Sequence, residues 1–255
     1  MLNQQNNICT ENKNELNFSK YAHVYDKHAQ LQKMMAKNLS YFIPNIILGK
    51  ILEIGCGTGI FTKYLLSKAT KKILLNDISH QMIKCMECKL SLPPYSQIIV
   101  GNAEILKFQM VEMIAANAVF QWFKDPRDAL KRLYFCTKPR GRLIFSTFGS
   151  SSLADFRECF GIQSPALLLS INDWTKIIEE AGFTLCSSKR DLYKSFYPNT
   201  LSLLKNLQQI GATPSRMTGT GELRQLINRY DHIHSTKKGV CANWELLYFS
   251  AINKQ

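Results

Sequence analysis

Nowhere in the 255 residues does an apolar run approach the roughly 20 residues that a membrane-spanning helix needs. Residues 1–17, MLNQQNNICTENKNELN, are rich in Asn and Gln and hold no apolar core of the kind that directs secretion. The expectation is a cytoplasmic protein whose residues 1–17 are disordered. A second C-x-x-C is missing as well. Cys85 and Cys88 form one such pair, with no second pair and no nearby His to complete a zinc set, and His232 and His234 stand equally alone. The eight cysteines are scattered, mostly through apolar runs, which suits reduced, buried thiols better than a disulfide framework. Internal repeats are absent. Acid is scarce: 19 Asp and Glu face 32 Lys and Arg, a net charge of +13. Such a field attracts nucleic acid, anionic membrane or an acidic protein, and charge alone does not choose among them.

What is present is a glycine loop. In ILEIGCGTG, residues 51–59, Ile51, Leu52 and Ile54 read as a short buried strand. Gly55, Gly57 and Gly59 follow at alternate positions, and a helix-like run continues from Ile60 to Ser67. Strand, glycine turn, helix is the first βα unit of a nucleotide-binding α/β domain. Lacking Cβ, the glycines permit positive φ and let a ligand lie on the backbone, while the N–H groups of the next helix face it. A dinucleotide fingerprint reads G-x-G-x-x-G. Here the spacing is G-x-G-x-G, with Glu53 two residues ahead of the first glycine. The stretch resembles the E-x-G-x-G-x-G loop of class I S-adenosylmethionine-dependent methyltransferases, which holds the methionine end of a cofactor that carries no phosphate. The resemblance implies an α/β, Rossmann-like fold: a mostly parallel seven-stranded sheet with helices on both faces.

The rest of the chain suits that fold. Residues 19–39 follow the helical period through Tyr21, Val24, Tyr25, His28, Gln32, Met35 and Leu39, with Ser19 able to cap the start. Tyr21 and Tyr25 then share a face one turn apart and are candidates to cap the crevice. KKILLND (71–77) is a second strand ending in Asp77, which can accept both ribose hydroxyls of an adenosyl group or cap the helix begun by Ser79. Gln97 to Val100 is a third strand, followed by Asn102. EMIAAN (112–117) is the fourth, and it places Asn117, Gln121 and Trp122 over the crevice at its carboxyl end. Lys138-Pro139-Arg140-Gly141 turns into a fifth strand, GRLIFSTF, and 184–197 and 244–253 supply two more. Between these lies a helical insert of about 199–240 with a net charge of +4. Residues 18–255 thus read as one domain with a helical lid.

Three further stretches narrow the resemblance. FSKYAHVYDKHAQLQ (18–32), NAVFQWFKDP (117–126) and LLKNLQQIGAT (203–213) together look like the malonyl-(acyl-carrier protein) O-methyltransferases of biotin synthesis. That family methylates the free carboxylate of a malonyl group on acyl carrier protein, giving the ester that primes pimeloyl synthesis and leaving S-adenosylhomocysteine. The resemblance implies cofactor contacts from Glu53, Gly55, Cys56, Gly57, Gly59, Asp77, Ile78, Asn102, Ala103 and Asn117. It leaves Tyr21, Tyr25, Asn117 and Gln121 as neutral groups able to position the substrate. It implies no metal, no nucleic acid, no membrane and a monomer; the acidic carrier suits the +13 charge. Departures fall at Asn102, where an acid is usual, at Arg140, where relatives read K-P-G-G, and at Asn243-Trp244-Glu245, where T-Y-E is commoner. Rival readings are a small-molecule methyltransferase, acting on a quinone precursor or small carboxylic acid, and an RNA methyltransferase. N-A-V-F-Q-W replaces the N-P-P-Y-type motif of the latter.

Overall fold

The computed structural model describes residues 13–69, 71–212 and 220–255. Ile51–Ile54 (β1) and Ile73–Asp77 (β2) are buried at every position, as strands covered on both faces must be. With Ser96–Val100 (β3), Val111–Asn117 (β4) and Thr137–Phe148 (β5) they form a parallel array in the order β3-β2-β1-β4-β5. Thr184–Tyr197 (β6) lies at the far edge, and a two-residue strand, Ser235–Thr236 (β7), turns into Gly239–Ile252 (β8). β8 runs antiparallel between β5 and β6. All seven expected strands are present, and β7 makes the sheet eight-stranded. β5 starts at Thr137, four residues before the expected strand. Lys138 to Arg140 join the sheet through a bulge opposite Val111–Met113, with Arg140 at φ +62° donating its N–H to Asn253 O at 2.8 Å.

One face of the sheet is covered by Pro126–Phe135 (α6), begun by the Asp125 cap, and Ile171–Glu180 (α8), begun by a Ser170–Asp173 capping box. Their core joins Phe120, Phe145, Trp174 and Phe249. The other face carries Thr62–Leu66 (α4), His80–Glu87 (α5), Ala154–Phe160 (α7), and the insert helices Thr200–Gln209 (α9) and Thr220–His234 (α10). Residues 213–219 of the insert, Arg216 among them, lie outside the described residues.

The single helix expected over 19–39 is three: Lys13–Tyr21 (α1), Tyr25–His28 (α2) and Gln30–Ser40 (α3). No Gly or Pro breaks it. The chain turns at Ala22–Val24 and again at Ala29 (φ −83°, ψ 43°), because Asp26 and Ser19 reach across to the glycine loop and α5. Ser19 therefore lies inside a helix rather than capping one. Residues 13–17, expected to be disordered, belong to α1; residues 1–12 lie outside the described residues. The seven cysteines among the described residues are free thiols, but only Cys56 is buried, and Cys88 and Cys186 are exposed.

Candidate active site

The strand order reverses between β1 and β4, and an α/β sheet opens a crevice beyond its carboxyl edge at such a point. Asp77 closes one side of it. One carboxylate oxygen accepts the Gly57 N–H at 2.7 Å and the other the Ser79 N–H at 2.8 Å, so the residue braces the glycine loop and the start of α5 together. Burial lifts its pKa to about 6, against three backbone N–H donors that pull it down. Gly57 (φ +54°) has open space where a Cβ would stand: the nearest atom, Gly55 O, is 3.9 Å away. Gly59 (φ +85°) also serves packing. A Cβ there would meet Leu90 at 2.6 Å, and the residue lines none of the cavities at this edge.

The crevice holds a cavity of about 720 Å³ bordered by Gly55, Gly57, Asp77, Ile78, Asn102, Ala103 and Asn117. Asn102 Oδ1, the acceptor expected for adenine, takes the Glu104 N–H at 2.9 Å within its own turn. Glu53 and Cys56 border a smaller adjoining recess of about 300 Å³. Glu53 is buried, and burial lifts its pKa to about 8 despite the Thr62 hydroxyl; the Asp77 charge adds to the rise. Its Oε2 has no hydrogen-bond partner.

A third cavity, about 710 Å³, lies beside the first and is walled by Phe148, Phe156, Leu207, Ile210 and Trp244, with Arg157 at its lining. The two large cavities share four residues, Phe18, Tyr25, Ala118 and Trp122. Phe18 meets both Tyr25 and Trp122 edge to face, at 6.4 and 5.3 Å. Burial and then the charges of Asp77 and Asp26 push the Tyr25 phenol well above its usual range, so it stays a neutral donor. Tyr21, at the end of α1, borders neither cavity.

The two amides expected to position substrate are engaged inside the protein. Asn117 Nδ2 donates to Gln32 O at 3.1 Å, and its Oδ1 accepts from Ser146 Oγ at 2.8 Å. Gln121 Nε2 donates to Ala118 O at 2.8 Å, and its Oε1 accepts from Thr147 Oγ1 at 3.0 Å. Together they hold Ala118 at φ +56°, a conformation that costs a non-glycine residue about 1 kcal/mol or more, on the wall between the cavities. Sequence reasoning assigned no role to Phe18, Gln32, Phe148 or Arg157. Gln32 left a signal, as a polar residue on a mostly apolar helical stripe.

A family model described as a methyltransferase domain matches residues 52–145, from β1 into β5. The solved structure of the YcgJ protein of Bacillus subtilis superposes with a TM-score of 0.64 at 13% identity, over 87% of this chain and 99% of that one. Phosphoethanolamine N-methyltransferase 2 of Haemonchus contortus, in complex with S-adenosyl-L-methionine, gives 0.57 at 16%, over 93% of this chain and 57% of the other. Those identities speak for the fold alone. The malonyl-(acyl-carrier protein) O-methyltransferase of Priestia megaterium is 31% identical over 91% of this chain and 94% of its own length. The chain belongs to the malonyl-(acyl-carrier protein) O-methyltransferase family. A second relative of that name, from Ilyobacter polytropus, is 32% identical over 89% of each chain.

For a malonyl-(acyl-carrier protein) O-methyltransferase the cofactor is S-adenosylmethionine, and the residues present fit it. Gly57 leaves open a space that any side chain would enter, Asp77 stands at the tip of β2, and the unpartnered Glu53 oxygen awaits a donor such as an ammonium group. Among the described residues, no three His, Cys, Asp or Glu side chains gather as a metal-ligating group. No described helix is long and apolar enough to cross a membrane.

Proposed function

We propose that this chain transfers the methyl group of S-adenosylmethionine to the free carboxylate of malonyl-acyl carrier protein, giving the malonyl methyl ester that primes pimeloyl synthesis for biotin. The observation that carries it is the common wall of Phe18, Tyr25, Ala118 and Trp122 between the cofactor crevice and an apolar second cavity. Bound S-adenosylmethionine supplies a sulfonium methyl: the O–CH3 bond forms as the S–CH3 bond breaks, the electron pair stays on sulfur, and a neutral ester results. The malonyl carboxylate is ionised at neutral pH, so no general base is needed.

The protein's part is placement and dryness. Asp77 would hold the ribose, Ile78, Asn102 and Ala103 the adenine, and Glu53, Gly55, Cys56 and Gly57 the methionyl end, with Asn117 bordering that end while its side chain stays engaged in the fold. Phe18 and Trp122 exclude water, which favours a step in which two opposite charges vanish together. Alignment of this kind accounts for up to roughly 7–11 kcal/mol in model reactions. Tyr25 supplies a neutral hydroxyl at the wall. A cationic clamp on the attacking oxygen would stabilise the ground state, and Arg157 gives Nε and Nη2 to the carbonyls of Ser152 and Ser150. Leu207, Ile210 and Ala212 line the second cavity, which supports a reading of the insert of about 199–240 as a lid within a single domain of 18–255. We take the enzyme to be a cytoplasmic monomer that engages the acidic carrier, with neither nucleic acid nor membrane as partner.

The test is incubation with methyl-labelled cofactor and a panel of malonyl-carrier, malonyl-coenzyme A, a quinone precursor and RNA. Label should enter the malonyl carrier as a base-labile ester. Label in the quinone precursor or RNA, with none in either malonyl thioester, would overturn the assignment.

A further inference from the structure

Gln32, on α3, is a polar side chain in a place where polarity needs a reason. It is 6% exposed, and its Oε1 is buried without a hydrogen-bond partner. An orphaned buried acceptor carries an uncompensated desolvation cost, so a structural role alone does not account for it. Its carbonyl, which accepts from Asn117 Nδ2, ties this part of α3 to the end of β4. The side chain borders two spaces at once: the small recess behind the glycine loop and the apolar second cavity. Glu53 borders the same recess, and its Oε2 is the second buried acceptor there without a partner. Two unpartnered side-chain oxygens, on two residues that border one recess, call for a ligand group with at least two N–H donors and, beside a carboxyl, a positive charge. The methionyl α-ammonium of the methyl donor has three. On the other side, a malonyl carboxylate accepts hydrogen bonds and donates none, and the Gln32 amide nitrogen is a neutral donor. Asn117 and Gln121, two further amides at this edge, are held at both ends by the protein.

We propose that the Gln32 amide links the two reactants: its oxygen accepts from the α-ammonium of the methyl donor beside Glu53, and its N–H donates to the malonyl carboxylate. The proposal rests on the substrate and cofactor assigned above. The neutral donor orients the carboxylate without the ground-state stabilisation that a cation would bring. Binding of the methyl donor also fixes the amide's orientation, so cofactor bound first prepares the site for the carrier.

Two variants separate the two halves. Gln32→Leu keeps volume and removes the amide, so it should weaken S-adenosylhomocysteine binding by about tenfold or more, as loss of a hydrogen bond to a charged group does. Its melting temperature should hold or rise, because an unpaired buried oxygen is gone. Gln32→Glu keeps the acceptor and turns the donor into a like charge facing the substrate. It should bind S-adenosylhomocysteine at least as tightly as wild type, yet raise KM and lower kcat/KM for malonyl-carrier by about tenfold or more. Gln32→Met stands in if the Leu chain does not fold. Wild-type affinity and turnover in the Leu or Met variant would overturn the proposal, as would normal turnover in the Glu variant. A wild-type chain that binds S-adenosylhomocysteine but leaves malonyl-carrier unmethylated would overturn the substrate half together with the function it rests on. Wild-type activity with unaffected variants overturns the role of Gln32 alone.

Discussion

Tyr25 borders the cofactor crevice, the second cavity and the recess behind the glycine loop, whereas Tyr21 borders none of the three. Tyr25→Phe keeps the ring against Phe18 and removes only the hydroxyl. Turnover should fall about tenfold, roughly 1.4 kcal/mol of transition-state stabilisation, with melting temperature and S-adenosylhomocysteine affinity unchanged. Tyr21→Phe should behave as wild type; equal kinetics for both variants would remove the Tyr25 hydroxyl from the mechanism. Glu53 gives a second expectation, in pH. Its folded pKa of about 8 and that of Asp77, about 6, both lie above the ordinary carboxylate range. The folded state therefore keeps protons that the unfolded chain has released, and stability falls as pH rises through this interval. Asp77 titrates around pH 6 in both chains, so the difference between wild type and Glu53→Gln over pH 6–8 belongs to Glu53. Wild-type melting temperature should decline more steeply there than that of Glu53→Gln. Parallel curves would mean that Glu53 is ionised in the empty protein.

At the scale of elements, α1 to α3 form a strap over the crevice: α3 is anchored in the core by Met35, Ala36 and Leu39, while polar contacts tie α1 and α2 to the glycine loop and α5. Asp26 accepts from the Thr58 hydroxyl of the glycine loop and from Lys89 Nζ at 2.6 Å, and the hydroxyls of Ser19 and Ser79 meet at 2.8 Å. The Lys89 pair is half-exposed and adds little by itself; the Thr58 bond ties the strap to the loop. Phe18 and Tyr25, which wall the cofactor from the second cavity, ride on this strap. Asp26→Ala should leave global melting nearly unchanged and weaken S-adenosylhomocysteine binding about three- to tenfold, the worth of one or two hydrogen bonds. Amide exchange in residues 13–30 should quicken at the same time. Unaltered exchange there would show that ring packing, not Asp26, holds the strap closed.

For the whole molecule the governing quantity is the +13 charge. A carrier protein presents many negative charges and malonyl-coenzyme A only a few, so screening beyond about 8 Å at physiological ionic strength acts more on the former. The kcat/KM for malonyl-carrier should fall with added salt more steeply than that for malonyl-coenzyme A. Equal slopes would separate the basic surface from carrier docking.

The parts of this protein written locally were legible without a structure. A buried apolar run, three alternating glycines and an acid at the tip of the next strand specify β1, the loop and β2, because strand periodicity and positive φ are properties of short segments. The cap at Ser79 acts over three residues, and α5 begins there. What only the tertiary structure decided depends on residues far apart in the chain. The 19–39 helix has the right period but breaks, since Asp26 finds Thr58 and Lys89 across the crevice. Asn117 and Gln121 stand where a substrate amide should stand, yet Gln32, Ser146 and Thr147 consume their hydrogen bonds. Gly59 belongs to the loop motif but abuts Leu90, 31 positions on. Whether a polar group near a cavity is spent on the fold or left for a ligand is settled by partners up to 85 residues away, and no local pattern encodes that.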